Sequence, residues 1–215
     1  MTVDVQIWSD VACPWCYVGK RRFEKAVERF RAEGGDVTVT YRSFELSPET
    51  PVDFEGDEVD FLARHKGMPR DQVVAMLDQM TAVAADEGLA YDFAALQHTN
   101  TVLAHQLLHH ARSRGRQAEM KERLLAAYFV EGRHVGRIAD LADLAAEVGL
   151  DRDEVVAALE SGSHLDDVRA DQQRALELGI RGVPFFVLDD RLGVSGAQDP
   201  EVLLGALRQA AGGSA

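Results

Sequence analysis

The stretch SDVACPWCYVG (9–19) carries both cysteines of a 215-residue chain, Cys13 and Cys16, three positions apart. The residues around them constrain the fold more than any other feature. Before them, VDVQIW (3–8) alternates β-branched and polar residues and reads as a strand. After them, Tyr17, Phe23, Val27 and Phe30 recur near helical spacing with charges on the opposite face, until Gly34 and Gly35 stop the run. DVTVTYRSFEL (36–46) alternates again. Strand, helix and strand in close succession make a βαβ unit, with parallel strands and a right-handed crossover. The two thiols stand where its first strand hands over to its helix.

The character of the chain then changes. SPETPVDFEGDE (47–58) is a turn-rich acidic loop, and from its end to about residue 179 most of the chain has helical period. Helices are predicted over 68–88, 99–114, 116–130, 138–148 and 153–159, and in HLDDVRADQQRALELG (164–179). Short glycine-containing breaks between them suit antiparallel helices packed as a bundle. VPFFVLDD (183–190) and LGVSG (192–196) then read as a hairpin. DPEVLLGALRQAAGG is a closing helix, with Asp199 as N-cap, Pro200 in its first turn and a frayed tail at 212–215. The expected fold is α/β: a thioredoxin-like domain split between residues 1–50 and 165–215, with a large all-helical insertion over 51–164.

A cysteine at the start of a helix meets backbone N–H groups with no intrahelical partner and the positive end of the helix dipole. Both favour thiolate. A free cysteine with a pKa of ~8.5 is only a few per cent ionised at neutral pH, and such sites lower the value to roughly 3.5–7.5. Cys13 is therefore the expected attacking sulfur. Cys16, one turn later on the same face, is the expected resolving thiol, attacking the mixed disulfide that Cys13 forms with substrate. Pro14 fits the first turn because its missing N–H would be unpaired anyway. Trp15 is expected to be partly exposed, offering substrate an apolar flank. Far away in sequence, Val183 and Pro184 precede the Phe185-Phe186-Val187 strand. If their peptide bond is cis they make a tight turn opposite Cys13, where the Val183 backbone could pair with a substrate chain in β-fashion.

Composition closes off other classes. With 23 basic and 36 acidic residues the net charge is −13, which repels phosphate backbones and anionic lipid, so neither nucleic acid nor a membrane is an expected partner. No stretch approaches the ~18 apolar residues of a membrane span. MTVDVQIWSD lacks the basic start and apolar run of a secretory signal, which points to the cytoplasm. Two cysteines are too few for a disulfide scaffold or a four-cysteine zinc site.

Taken together, SDVACPWCYVG, the distant GIRGVPFFVLDDRLGVSGAQ (179–198), the helical insert and NTVLAHQLLHHA (100–111) resemble the DsbA-like thiol–disulfide oxidoreductases, in particular their cytoplasmic FrnE-like branch. The resemblance spans essentially the whole chain. It implies a thioredoxin fold with an inserted helical domain, a nucleophile at Cys13, a resolving thiol at Cys16 and a cis-proline at Pro184. It implies disulfide-containing proteins or small thiols as substrates, no tightly bound cofactor, and glutathione as a candidate redox partner. Oligomeric state is left open. Related kappa-class glutathione transferases and 2-hydroxychromene-2-carboxylate isomerases carry serine where this chain has Cys13, so the pair of cysteines favours redox exchange. The alternatives are a glutathione-dependent transferase or isomerase, in which Cys16 is dispensable, and a chaperone-like binding module needing neither thiol.

Other residues have plainer readings. His105 and His109 stand at i, i+4, a spacing that can hold a metal, but without the HExxH glutamate; neutral histidines on a polar helix face are preferred, and no metal site is expected. Asn100 is read as a helix cap. Asp10 is either a proton-transfer group beside the cysteines or an ordinary loop aspartate. Phe185 and Phe186 are expected in the sheet core.

Overall fold

The computed structural model describes residues 1–212; the end of the predicted frayed tail, Gly213 onward, lies outside the described residues. The chain divides into two compact units: Met1–Leu46 together with the chain from Arg169 onward, and Ser47–Val168.

The first unit is built on a four-stranded sheet of β1 (Thr2–Ser9), β2 (Asp36–Ser43), β3 (Phe185–Leu188) and β4 (Leu192–Ser195), in the order β2-β1-β3-β4. β1 runs parallel to β2, with Val3 opposite Val37 and Ile7 opposite Tyr41. α1 (Pro14–Ala32) makes the crossover between them. β3 pairs antiparallel with both β1 and β4, Ile7 facing Phe186. The β3–β4 hairpin turns through Asp189 and Asp190, both at positive φ (49° and 54°). Aspartate is one of the few non-glycine residues that enter that region. Here the Asp189 carboxylate accepts the Asp4 N–H and that of Asp190 accepts the Gln6 amide.

Alternation along β1 sends side chains to two layers. Val3, Val5 and Ile7 pack with Phe23, Val27 and Phe30 of α1 and with Leu203, Leu204 and Leu207 of α9 (Pro200–Gly212). Asp199 caps α9 by accepting the Glu201 N–H. Trp8 points the other way, onto Ala175, Ile180 and Val187, and its indole N–H donates to the Asp171 carbonyl of α8 (Leu165–Glu177). Asp171 also accepts from Arg42 and from the Ser43 N–H, which ties α8 to the end of β2.

The second unit is helical: α2 (Glu58–Lys66), α3 (Arg70–Asp86), α4 (Val102–Ser113), α5 (Gln117–Phe129), α6 (Ile138–Glu147), α7 (Arg152–Ser161) and the start of α8. α4 packs against α5, α6 and α7, and α6 against both α5 and α7, while α2 and α3 pair with each other. Their apolar stripes, such as Leu107 and Leu108 on α4 and Leu124 and Leu125 on α5, are buried. α2 lies at the edge of the segment read as an acidic loop. Asp57 and Asp60 form a reciprocal capping box that starts it, and Gly67 in the left-handed region ends it. No described helix is long and apolar enough to cross a membrane.

Candidate active site

α1 begins at the cysteines. Cys13 is its N-cap residue, with extended backbone (φ −96°, ψ 111°), and Pro14 opens the first turn. The Cys16 N–H donates to the Cys13 carbonyl at 3.0 Å, so the two residues share one closed turn. Both are free thiols, 4% and 3% exposed. Trp15, between them, is 45% exposed and Pro14 is half-buried.

The chain brings Val183 and Pro184 to the same place. The Val183–Pro184 peptide bond is cis. The Cys13 thiol donates to the Val183 carbonyl at 3.5 Å. Pro184 is buried, and its own carbonyl accepts the Gly196 N–H at 2.8 Å. Two segments 170 residues apart in sequence thus meet at one sulfur.

Asp10 is buried (1% exposed) under this turn. One carboxylate oxygen accepts the Val11 N–H at 2.7 Å and the Ala12 N–H at 3.4 Å, and the other accepts the Leu46 N–H at 2.8 Å. It therefore clamps the β1–α1 loop to the chain leaving β2. Asp10 is thus not a plain loop residue.

The electrostatics correct one expectation. The Cys13 thiol is held well above its ordinary value, not below it. The leading cause is the hydrogen bond with the Cys16 side chain, followed by burial, by negative charge on Cys16 and by the charge of Asp10; the Cys16 backbone N–H at the helix start pulls the other way and loses. Two thiols this close titrate as a pair, so the second proton is hard to remove once the first has gone. The helix terminus is present, but in the closed dithiol its effect is outweighed.

The other singled-out residues belong elsewhere. In the helical unit Asn100 is not the cap itself: Thr101 is the N-cap residue of α4 and makes no side-chain cap bond, while Asn100, one position earlier, accepts the Val102 N–H at 2.8 Å and donates its amide to the Pro48 carbonyl. His105, His109 and His110 are buried, not displayed on a polar surface, because α4 is packed on three helices at once. Among the described residues no group of three or more histidine, cysteine or carboxylate side chains is placed to hold a metal. Phe186 is core, with its ring 5.3 Å from that of Phe23, and Phe185 packs on the Trp8 side of the sheet.

Residues 4–208 match the DSBA-like thioredoxin domain. The chain belongs to that family. It is 31% identical to YwbO of Bacillus subtilis over 204 residues, 94% of either chain. Among solved structures it superposes on SCO1869 of Streptomyces coelicolor, described as a "probable DsbA oxidoreductase", with a TM-score of 0.92 and 45% identity over 99% of this chain and 92% of that one. The cytosolic disulfide reductase DsbM of Pseudomonas aeruginosa, solved with GSH, shares the fold (TM-score 0.65, 21% identity, 96% and 98% covered). A 2-hydroxychromene-2-carboxylate isomerase shares it too (0.70, 18%, all of both chains).

Proposed function

We propose that the protein is a thiol–disulfide oxidoreductase working through Cys13 and Cys16. The observation that carries this is the Cys13 sulfur at the head of α1, one turn from Cys16 and 3.5 Å from the Val183 carbonyl. In the reducing direction the Cys13 thiolate attacks a substrate disulfide, forms a Cys13–substrate disulfide and expels the other substrate sulfur as thiolate. Cys16, deprotonated, then attacks the Cys13 sulfur and releases the second substrate thiolate. The protein gains a disulfide, and two electrons and two protons pass to the substrate; oxidation is the reverse. The Val183 carbonyl, occupied by the thiol at rest, becomes free to accept an N–H from an extended substrate chain once Cys13 is bonded to sulfur. Trp15 gives that chain an apolar flank.

Disulfide-bearing peptides or small disulfides are the substrate class. Glutathione is the proposed redox partner, a reading supported by the GSH bound in DsbM. The FrnE-like, cytoplasmic assignment rests on the sequence resemblance and on that cytosolic neighbour.

The test is a titration against glutathione redox buffers, with free thiols counted by alkylation and mass spectrometry. Both thiols should disappear together in a reversible two-electron transition. Cys13→Ser should abolish exchange and Cys16→Ser should accumulate mixed disulfides. Full activity in Cys13→Ser refutes the assignment. A stable glutathione adduct on Cys13, with turnover intact in Cys16→Ser, establishes the transferase or isomerase chemistry instead.

A further inference from the structure

α1 has a single glycine, Gly19, well inside its length. Glycine is a poor helix former, and nothing at this position requires an unusual backbone, so its presence needs another cause. The cause is space. A Cβ on Gly19 would lie 2.8 Å from Cγ of Pro184, and 3.4 and 3.5 Å from Cβ and Cα of Ala197. The first distance is far inside van der Waals contact. Neither neighbour yields easily, because one is a closed ring and the other is backbone and a methyl. Both are also pinned. The Pro184 carbonyl accepts the Gly196 N–H, and the Ala197 carbonyl accepts from the Arg22 guanidinium at 2.7 Å. Arg22 is one turn beyond Gly19 on α1, and Cys16 is one turn before it, so the three share a face.

We propose that Gly19 is a positioning residue: its bare backbone lets α1 seat directly on the Pro184 ring, and this seat sets how far the Val183 carbonyl stands from the Cys13 sulfur. The inference rests on the thiol-exchange reading above and adds to it. Cys16, Gly19 and Arg22 form one ruler along α1. Its first mark carries a thiol, its second receives the proline ring, and its third holds the loop behind that ring. A methyl at Gly19 pushes Pro184 outward and Val183 with it. The thiol then loses the acceptor that favours its protonated form, and an incoming peptide loses the register of its backbone partner.

The experiment compares wild type with Gly19→Ala in two assays. One is reduction of a peptide disulfide. The other is the pH profile of Cys13 alkylation by iodoacetamide, which needs no peptide register. Gly19→Ala should lower the peptide rate at least ten-fold and move the alkylation profile to lower pH. Gly205→Ala is the control, since the added carbon on this exposed glycine of α9 meets no described residue within 4 Å apart from its chain neighbours and its own helix backbone; it should leave both readouts unchanged. A folded Gly19→Ala protein whose peptide rate and alkylation profile stay within two-fold of wild type overturns the proposal. Should that variant not fold, Ala197→Val narrows the same gap from the loop side and must show the same two shifts; unchanged readouts there overturn it equally. If wild type itself reduces no disulfide, the functional reading has failed, and the alkylation profile alone still tests the seat.

Discussion

Asp10→Ala removes a carboxylate that accepts three backbone N–H groups: Val11 at 2.7 Å, Ala12 at 3.4 Å and Leu46 at 2.8 Å. The Ala12 contact is long, which leaves two good charge-assisted bonds. At ~1.5–3 kcal/mol each, and with Leu46 exposed enough to recover some water, the expected loss is about 3–5 kcal/mol. With an m-value of ~3 kcal/mol/M the urea midpoint falls by roughly 1–1.7 M. Asp10→Asn separates shape from charge. The amide keeps one acceptor for Val11 and Ala12 but turns an N–H₂ toward the Leu46 N–H, at a cost of about 2 kcal/mol. Its second effect is on the thiol. The Asp10 charge is among the causes that hold Cys13 above its ordinary value, so neutralising it makes Cys13 more acidic. Alkylation of Cys13 at pH 8 should be faster in Asp10→Asn than in wild type. Urea titration followed by tryptophan fluorescence, and alkylation followed by mass spectrometry, read the two effects separately. The reasoning fails if the alkylation profile of Asp10→Asn stays put or moves to higher pH, or if the Asp10→Ala midpoint stays within roughly 0.3 M of wild type.

Two pH dependences are expected, with opposite signs. The Cys13 pKa is raised in the fold, so the stability it contributes is complete below the ordinary cysteine value of ~8.5 and is lost as pH rises through the raised value. The reduced protein should therefore lose urea resistance above pH 9 relative to the oxidised protein, which has no thiol to ionise; equal losses would contradict this. His110 and His134 are both depressed, first by burial and then by the charges of Arg114 and Arg137 respectively. Their contribution is complete above the ordinary 6.5 and is lost as pH falls through the depressed values. The urea midpoint should fall between pH 7 and pH 5, and less steeply in His110→Gln.

The parts of this protein legible in the sequence are those written in neighbouring residues. The alternation of Val3, Val5 and Ile7, the helical recurrence of Phe23, Val27 and Phe30, and the Asp199-Pro200 start of α9 each report a local period or a local hydrogen bond, and the structure places them as read. The spacing of Cys13 and Cys16 belongs to the same class, because one helical turn is enough to bring them together. The strand predicted over 183–190 is shorter in the structure, Phe185–Leu188, and at its far end Asp189 and Asp190, both at positive φ, make the hairpin turn instead. Asp57 and Asp60 read as loop acidity but act as a capping box, which identical composition cannot distinguish from a solvated turn. The histidines of α4 mislead for a similar reason. Their i, i+4 spacing describes a helix face without saying whether water or three other helices lie against it.

The sequence by itself determined the βαβ start, the helical middle apart from α2, the hairpin and the pairing of two thiols at a helix N-terminus, because each depends on interactions spanning a few residues. Only the tertiary structure decided that Asp171 reaches Arg42, that Gly19 lies under Pro184, and that Cys13 is a reluctant rather than an eager acid. Those outcomes depend on which distant segments close on one another and how much water they exclude. A burial cost or a Coulomb interaction has no value until that closure fixes the distances and the local dielectric.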